Sequence, residues 1–191
     1  MQVKPSIISL FSGCGGLDLG FHLAGYETVW ANDFNEWAAK TYAHNFGSKI
    51  VCGDIEEIDP FKDKTIPECD LILGGFPCQD FSILWKRPGL NGERGNLYKS
   101  FLRFIAAKKP KAFKGLLTAN NGKAIEQIIR DFETIAPGYI VKPQLYNFAD
   151  YGVPQFRERV LIVGIRSDID FNFQHPMPTH GKKAGNPYIT A

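Results

Sequence analysis

A chain of 191 residues with 44% hydrophobic and 22% charged residues has enough apolar material for one sizeable core, which excludes a mainly disordered state and leaves room for one domain with a short appendage. A net charge of +2 is too small to identify a nucleic-acid partner by itself, and no apolar run approaches the ~18 residues that cross a bilayer, so no membrane association is expected. The four cysteines, Cys14, Cys52, Cys69 and Cys78, form no C-x-x-C pair and have no histidine at metal-ligand spacing, so no metal site is expected and the thiols read as free.

Met1-Gln2-Val3-Lys4 leads into the first apolar run without a signal-peptide pattern, which sets the expectation of a cytoplasmic chain. Ile7-Ile8-Ser9-Leu10-Phe11 reads as a strand that stops at a glycine-rich turn. Leu17 to Ala24 carries apolar residues at helical spacing and ends at Gly25, a C-cap residue. Glu27 to Ala31 reads as a second strand. Asn35 to Asn45 reads as a second helix, with Trp37, Ala38, Tyr42 and Phe46 along one side. Lys49 to Cys52 and Asp70 to Leu73 are the third and fourth strands. Leu97 to Lys108 is amphipathic through Leu97, Phe101, Phe104 and Ile105, and Lys123 to Ile135 repeats the pattern through Ile125, Ile128, Ile129 and Phe132. Tyr139 to Leu145 and Val160 to Ile165 are late strands. Lys108-Lys109-Pro110-Lys111 reads as a solvated helix end. Strands alternating with helices imply βαβ units, hence an α/β fold whose mostly parallel sheet carries helices on both faces. After Arg166 the text turns polar and proline-rich through Pro176, Pro178 and Pro187. Residues 1–166 therefore form the domain, and 167–191 a linker or the start of a further region.

Phe11-Ser12-Gly13-Cys14-Gly15-Gly16 joins the first strand to the first helix. A nicotinamide fingerprint would need a glycine at position 18, where Asp18 stands, so an oxidoreductase of that type ranks last. The glycines still let backbone approach a ligand. Asp33 follows Gly13 by 20 residues at the end of the second strand, where a carboxylate accepts hydrogen bonds from ribose hydroxyls. A ligand with a ribose, no phosphate and a positive centre suits a loop that carries Asp18 and no lysine, and S-adenosylmethionine has those properties. The plain alternative is a tight turn that holds nothing.

Three separated segments, Phe11-Ser12-Gly13-Cys14-Gly15-Gly16, Gly75-Phe76-Pro77-Cys78-Gln79 and Gln155-Phe156-Arg157-Glu158-Arg159, together resemble the DNA cytosine-5 methyltransferase family, in that family's order and from Ser6 to about Arg166. The resemblance implies a Rossmann-like S-adenosylmethionine-dependent methyltransferase fold. It implies that Phe11, Gly13 and Gly16 line the cofactor pocket and that Asp33 holds the ribose. Phe34 would stack on the adenine, Asp54 accept from its amino group, Ile55 pack on the ring, and Leu97 close the methionine end.

The same resemblance makes Cys78 the nucleophile. A thiolate adding at carbon 6 of cytosine makes carbon 5 able to take a methyl group, so covalent catalysis divides one hard step into easier ones. Arg157 and Arg159 would be the cations beside the thiol and the base, which is swung out of the duplex to be reached. Gln79, Ser82 and Gln155 would steady the extruded nucleotide, and Arg87 and Arg94 would contact phosphates of double-stranded DNA.

Two features of the family are missing from the text. The resemblance calls for a Glu-Asn-Val segment on the fifth strand after Lys109-Pro110-Lys111, its glutamate holding the pyrimidine ring. Here Ala112-Phe113 runs directly into Lys114-Gly115-Leu116, which sets the expectation that the core of a central strand is lost. The target recognition region that follows in the family is also not in the text, so a second chain carrying it is a candidate partner. The leading reading is a bacterial restriction–modification methyltransferase, cytoplasmic and nucleoid-associated. Its rivals are a transfer-RNA cytosine methyltransferase of the same fold and a catalytically impaired protein that binds cofactor or nucleic acid.

Overall fold

Alternation along the first strand decides both layers of the molecule. In the computed structural model, which describes residues 3–75, 96–118, 122–182 and 184–190, β1 (Ser6–Leu10) sends Ile8 and Leu10 into one core and Ile7 into another, as the two-residue period of a strand requires. On the first side lie α3 (Asn96–Lys108) and α4 (Gly122–Thr134). Phe101, Phe104 and Ile105 of α3, with Ile128 and Phe132 of α4, pack there on Ile72 and Phe113. On the second side α1 (Gly16–Leu23) brings Leu17 and Phe21 onto Ile7, Leu71 and Leu73, and α2 (Glu36–Phe46) closes over it. The expected helices on both faces are therefore observed.

The sheet has seven strands in the order β3-β2-β1-β4-β5-β7-β6. The parallel set comprises β1, β2 (Glu27–Asp33), β3 (Ile50–Cys52), β4 (Leu71–Gly74) and β5 (Ala112–Thr118). Only β7 (Glu158–Arg166) runs against its neighbours, pairing antiparallel with β5 and with β6 (Tyr139–Asn147). Phe101, Phe113 and Phe132 form an aromatic knot at the centre, with Phe113 and Phe132 4.3 Å apart between ring centroids. Fully burying each such side chain contributes about 1.5–3 kcal/mol. Gly74 makes room for this knot, because a Cβ there would collide with the Phe101 ring.

Four expectations change. Trp37 lies on the exposed side of α2, 75% accessible, whereas Ala39 and Tyr42 form its buried side. Trp37 stands about 140° round the helix from Tyr42, and Tyr42 is drawn inward by a polar partner. That partner is Asp18, which turns away from any ligand. Its carboxylate is buried and accepts from Ser9 Oγ (2.7 Å), Thr28 Oγ1 (3.0 Å) and Tyr42 OH (2.8 Å). A buried carboxyl must find donors, and these three bind α1 to β1, β2 and α2. Lys108 is not solvated either: it is buried and donates to the Ile66 carbonyl at 2.7 Å. The stretch after Arg166 has no core of its own, but it is tied along β6. Tyr146 OH and His175 Nδ1 share a 2.7 Å hydrogen bond, and Thr179 and His180 donate their N–H groups to Asp150 O.

The fourth change concerns β5. The strand is present, seven residues long, paired with β4 from Leu71↔Ala112 to Gly74↔Gly115 and with β7 from Ala112↔Ile165 to Thr118↔Arg159. The residues that follow Phe113 have filled the slot, since ladder groups depend on backbone and not on side-chain identity. This draws Lys114 into the sheet between Leu73 and Val163, and burial lowers its pKa from 10.5 to about 8.

Two outcomes follow from these contacts. Replacing Lys114 by Met stabilises the chain at pH 7 by an amount on the order of 3 kcal/mol. A lysine whose folded pKa is depressed costs most below that pKa and least above its unfolded value, so the gain from K114M shrinks as the pH rises from about 8 to 10.5. Urea denaturation of both proteins across that range measures it. Tyr42→Phe leaves the Asp18 carboxylate short of a donor and costs about 1–3 kcal/mol in the same assay.

Candidate functional site

Parallel strands deliver their carboxyl ends, and the loops after them, to one edge of a sheet, where ligands of open α/β folds bind. Here the carboxyl ends of β1, β2 and β4 border a cavity of about 600 Å³ lined by Phe11, Asn32, Asp33, Phe34, Asp54, Ile55, Glu56, Gly75 and Leu97, a size within the roughly 300–1,000 Å³ of small-molecule sites.

The wall begins where β1 ends. Phe11 has φ +54°, a left-handed conformation that costs a bulky residue on the order of 1–2 kcal/mol. Gly13 follows at φ +56° and points its N–H at Asp33 Oδ2, 2.8 Å away. The other oxygen of Asp33 accepts the N–H of Asn35 at 2.9 Å. The carboxylate is thus held between the glycine turn and the start of α2, and it retains lone pairs for a ligand. Asn35 caps that helix by accepting from Ala38 N at 3.0 Å. Phe34, between these polar residues, is 77% exposed. An aromatic face left open at a cavity wall is available for stacking.

The opposite wall is the turn after β3. Asp54 Oδ1 accepts from Glu56 N at 2.9 Å, and Ile55 is 2% accessible. Three carboxylates, Asp33, Asp54 and Glu56, face the cavity, and no lysine, arginine or histidine is among the described residues lining it. Such a lining attracts positive charge and repels phosphate.

Six of the residues anticipated for the cofactor, Phe11, Asp33, Phe34, Asp54, Ile55 and Leu97, therefore meet in one cavity. Gly13 joins them through Asp33. Gly16 lines a different cavity together with Cys14, Gly15 and His22, because it opens α1 on the far side of the glycine turn. Asn32 went unnoticed in the sequence. Buried, it lines the cavity, and its Nδ2 donates to Val51 O and Gly53 O, each at 3.0 Å. An asparagine directly before Asp33, at the end of the second strand, was its available signal. Glu56 and Gly75 were also missed as lining residues.

Arg157 is exposed, with its N–H donating to Asn147 Oδ1. Arg159 is half-buried at the start of β7, opposite Thr118 of β5 and Tyr146 of β6. Because β7 is antiparallel, its first residues lie at the same sheet edge as the carboxyl ends of the parallel strands. Gln155 is exposed just before it. Cys78, Gln79, Ser82, Arg87 and Arg94 lie outside the described residues. Among the described side chains of β5, Ala112, Phe113, Lys114, Gly115 and Leu116, none is acidic. No group of three or more His, Cys, Asp or Glu side chains suited to a metal ion occurs among the described residues, and none of their helices is long and apolar enough to cross a membrane.

Comparison with known proteins places this geometry in context. The chain is 66% identical over 196 residues to the type II methyltransferase M.NgoFVII of Neisseria gonorrhoeae, an alignment covering 98% of this chain and 52% of that protein. It is 40% identical to the type II methyltransferase M.AquIA of a Picosynechococcus strain, over 94% of this chain and 78% of that protein. A crystal structure of a prophage-encoded protein of E. coli, described as a DNA modification methyltransferase, superposes with a TM-score of 0.77 at 26% identity, over 98% of this chain and 53% of that one. The chain spans about half the length of most curated relatives it matches. The alignment with the Neisseria protein is longer than the chain's 191 residues, so that relative carries internal residues this chain lacks. The model of the C-5 cytosine-specific DNA methylases matches residues 6–189, and the chain belongs to that family.

Proposed function

We propose that this chain is the cofactor-binding and catalytic region of an S-adenosylmethionine-dependent methyltransferase that acts on carbon 5 of cytosine in double-stranded DNA, within a bacterial restriction–modification system. The observation that carries the proposal is the acidic, aromatic-walled cavity at the carboxyl edge of the sheet, which Gly75 lines, three residues before Cys78 in the sequence.

The cavity fits the cofactor by charge and shape. Its three carboxylates suit a cationic ligand without phosphate, and the open face of Phe34 suits a purine. Asp33 would accept from the ribose hydroxyls, Asp54 from the adenine amino group, and Phe11, Ile55 and Leu97 would pack around the rest. When bound, S-adenosylmethionine supplies a methyl group on a positively charged sulfur. The chain supplies the Cys78 thiolate. Its sulfur bonds to carbon 6 of an extruded cytosine, and the electron pair of the 5,6 double bond becomes available at carbon 5 for the methyl group. Loss of the carbon 5 proton then restores the double bond and releases the sulfur. Arg157 and Arg159, at the same sheet edge, would favour the thiolate and hold the base. Gln79, Ser82 and Gln155 would steady the nucleotide, and Arg87 and Arg94 would hold phosphates.

A second chain carrying the element that reads the DNA sequence belongs to the same proposal. M.AquIA supports it as a relative of which this short chain covers 78%. A second reading, cofactor binding without turnover, is favoured by one observation: the described side chains of β5 include no acid. A missing carboxyl of this kind costs on the order of 100- to 10,000-fold in rate.

Two measurements test these readings. Calorimetric titration of the chain with S-adenosylmethionine shows binding, and Asp33→Ala weakens it by about tenfold or more; unchanged affinity would remove the cavity from the account. Intact-mass analysis after incubation with cofactor and duplex DNA containing 5-fluorocytosine shows a covalent adduct that Cys78→Ser abolishes. Cofactor binding without an adduct selects the non-catalytic reading. Methyl transfer confined to RNA overturns the choice of substrate.

A further inference from the structure

The turn that carries Asp54 and Ile55 has a second support, on the helix that also closes the cavity. Arg103 of α3 projects onto it, and Nη2 lies 2.8 Å from Ile55 O, 2.9 Å from Ile58 O and 3.3 Å from Glu56 O. Three carbonyls of one tight turn thus converge on one guanidinium nitrogen. The turn is otherwise closed by the 2.9 Å bond from Glu56 N to Asp54 Oδ1 and by two longer ones, Glu57 N to Asp54 O at 3.2 Å and Ile58 N to Ile55 O at 3.4 Å. Arg103 Nε is buried without a partner, a desolvation cost offset by the three contacts of Nη2. Leu97, six residues earlier on the same helix, lines the cavity directly.

We infer that Arg103 is a positioning residue for the adenosyl site: it holds the 54–58 turn so that the Asp54 carboxylate and the Ile55 side chain stand where the base has to sit. The inference rests on the reading of the cavity as an adenosyl site. From below, Asn32 fixes only the residues before this turn, through Val51 O and Gly53 O. Carbonyls 56 and 58 are held by Arg103, and carbonyl 55 by Arg103 together with the long bond from Ile58 N. Without the guanidinium they would turn to water, the backbone around Asp54 would gain freedom, and a ligand would have to order it on binding. A guanidinium nitrogen does this better than a neutral donor because charge-assisted hydrogen bonds are roughly twice as strong.

The test compares wild type, Arg103→Met, Arg103→Lys and a control, Phe132→Leu, which loosens the Phe101–Phe113–Phe132 knot and removes no hydrogen bond to the 54–58 turn. Amide hydrogen exchange needs no ligand. Glu57 and Ile58 lose protection in R103M and keep it in F132L at matched thermal stability. Equal protection in R103M and wild type overturns the clamp, whatever the cavity binds. Titration with S-adenosylhomocysteine and with its inosyl counterpart, which lacks the adenine amino group, reads the positioning. Wild type prefers the adenosyl ligand by about tenfold or more. R103M loses most of that preference, R103K keeps an intermediate share, and F132L keeps it whole. A preference equally reduced in F132L, or unchanged in R103M, overturns the inference. If R103M does not fold, R103K carries both readouts with the charge and size retained. Wild type that binds neither ligand, with exchange still dependent on Arg103, overturns the adenosyl reading and with it the positioning role, leaving only the clamp.

Discussion

Every N–H and C=O between β4 and β7 has to find a partner, and the whole sheet depends on that requirement. Were the slot between them vacant, four registers on one side and seven on the other would lose their ladders, at a cost of several kcal/mol. The Phe101–Phe113–Phe132 knot would lose its floor as well. The chain resolves this by pulling whatever follows Phe113 into the strand. A lysine enters the sheet as a result, and burial depresses its pKa. Fold and chemistry part company at this strand, because backbone pairing is indifferent to side chains and catalysis is not.

The cavity is organised in two tiers. The residues that touch its space, Phe11, Asp33, Phe34, Asp54, Ile55 and Leu97, come from the ends of β1 and β2, the turn after β3 and the start of α3. None of these stretches would hold its shape alone. Asp33 is fixed by the N–H groups of Gly13 and Asn35, the turn after β3 by Arg103, with Asn32 holding the residues that lead into it, and α1 by the hydroxyls gathered on Asp18. Buried polar groups thus specify where the exposed ones point, since a satisfied hydrogen-bond network has few alternative geometries. The same logic explains why two aspartates only 15 positions apart in the text have opposite assignments. Asp18 is sealed by three donors, and Asp33 retains a face toward the cavity.

The elements were legible wherever periodicity was strong. The apolar stripes of α3 and α4, the β1–α1 and β2–α2 alternations and the final antiparallel pair all stand near their predicted positions, because a helix or strand announces its buried face through spacing. β5 was not legible. Lys114-Gly115-Leu116 looks like a loop by composition, and only the unfilled hydrogen bonds of its neighbours make it a strand. Trp37 was grouped with Ala38, Tyr42 and Phe46, whereas the side that carries Tyr42 turns to Asp18 and leaves Trp37 in solvent. Lys108 was read as solvated, but the carbonyl it meets belongs to Ile66, distant in the chain.

Family membership was thus legible in local text: glycine turns, an aspartate at a strand end and three ordered motifs keep their meaning residue by residue, and residues they point to at the strand ends meet in one cavity. Which polar groups serve as supports was decided only by the folded chain. Arg103, Asn32 and Asp18 acquire their roles from partners that are 45 to 48, 19 to 21 and 9 to 24 positions away. Hydrogen bonds of that span exist only after the sheet has brought its strand ends together, and no spacing rule along the chain encodes them.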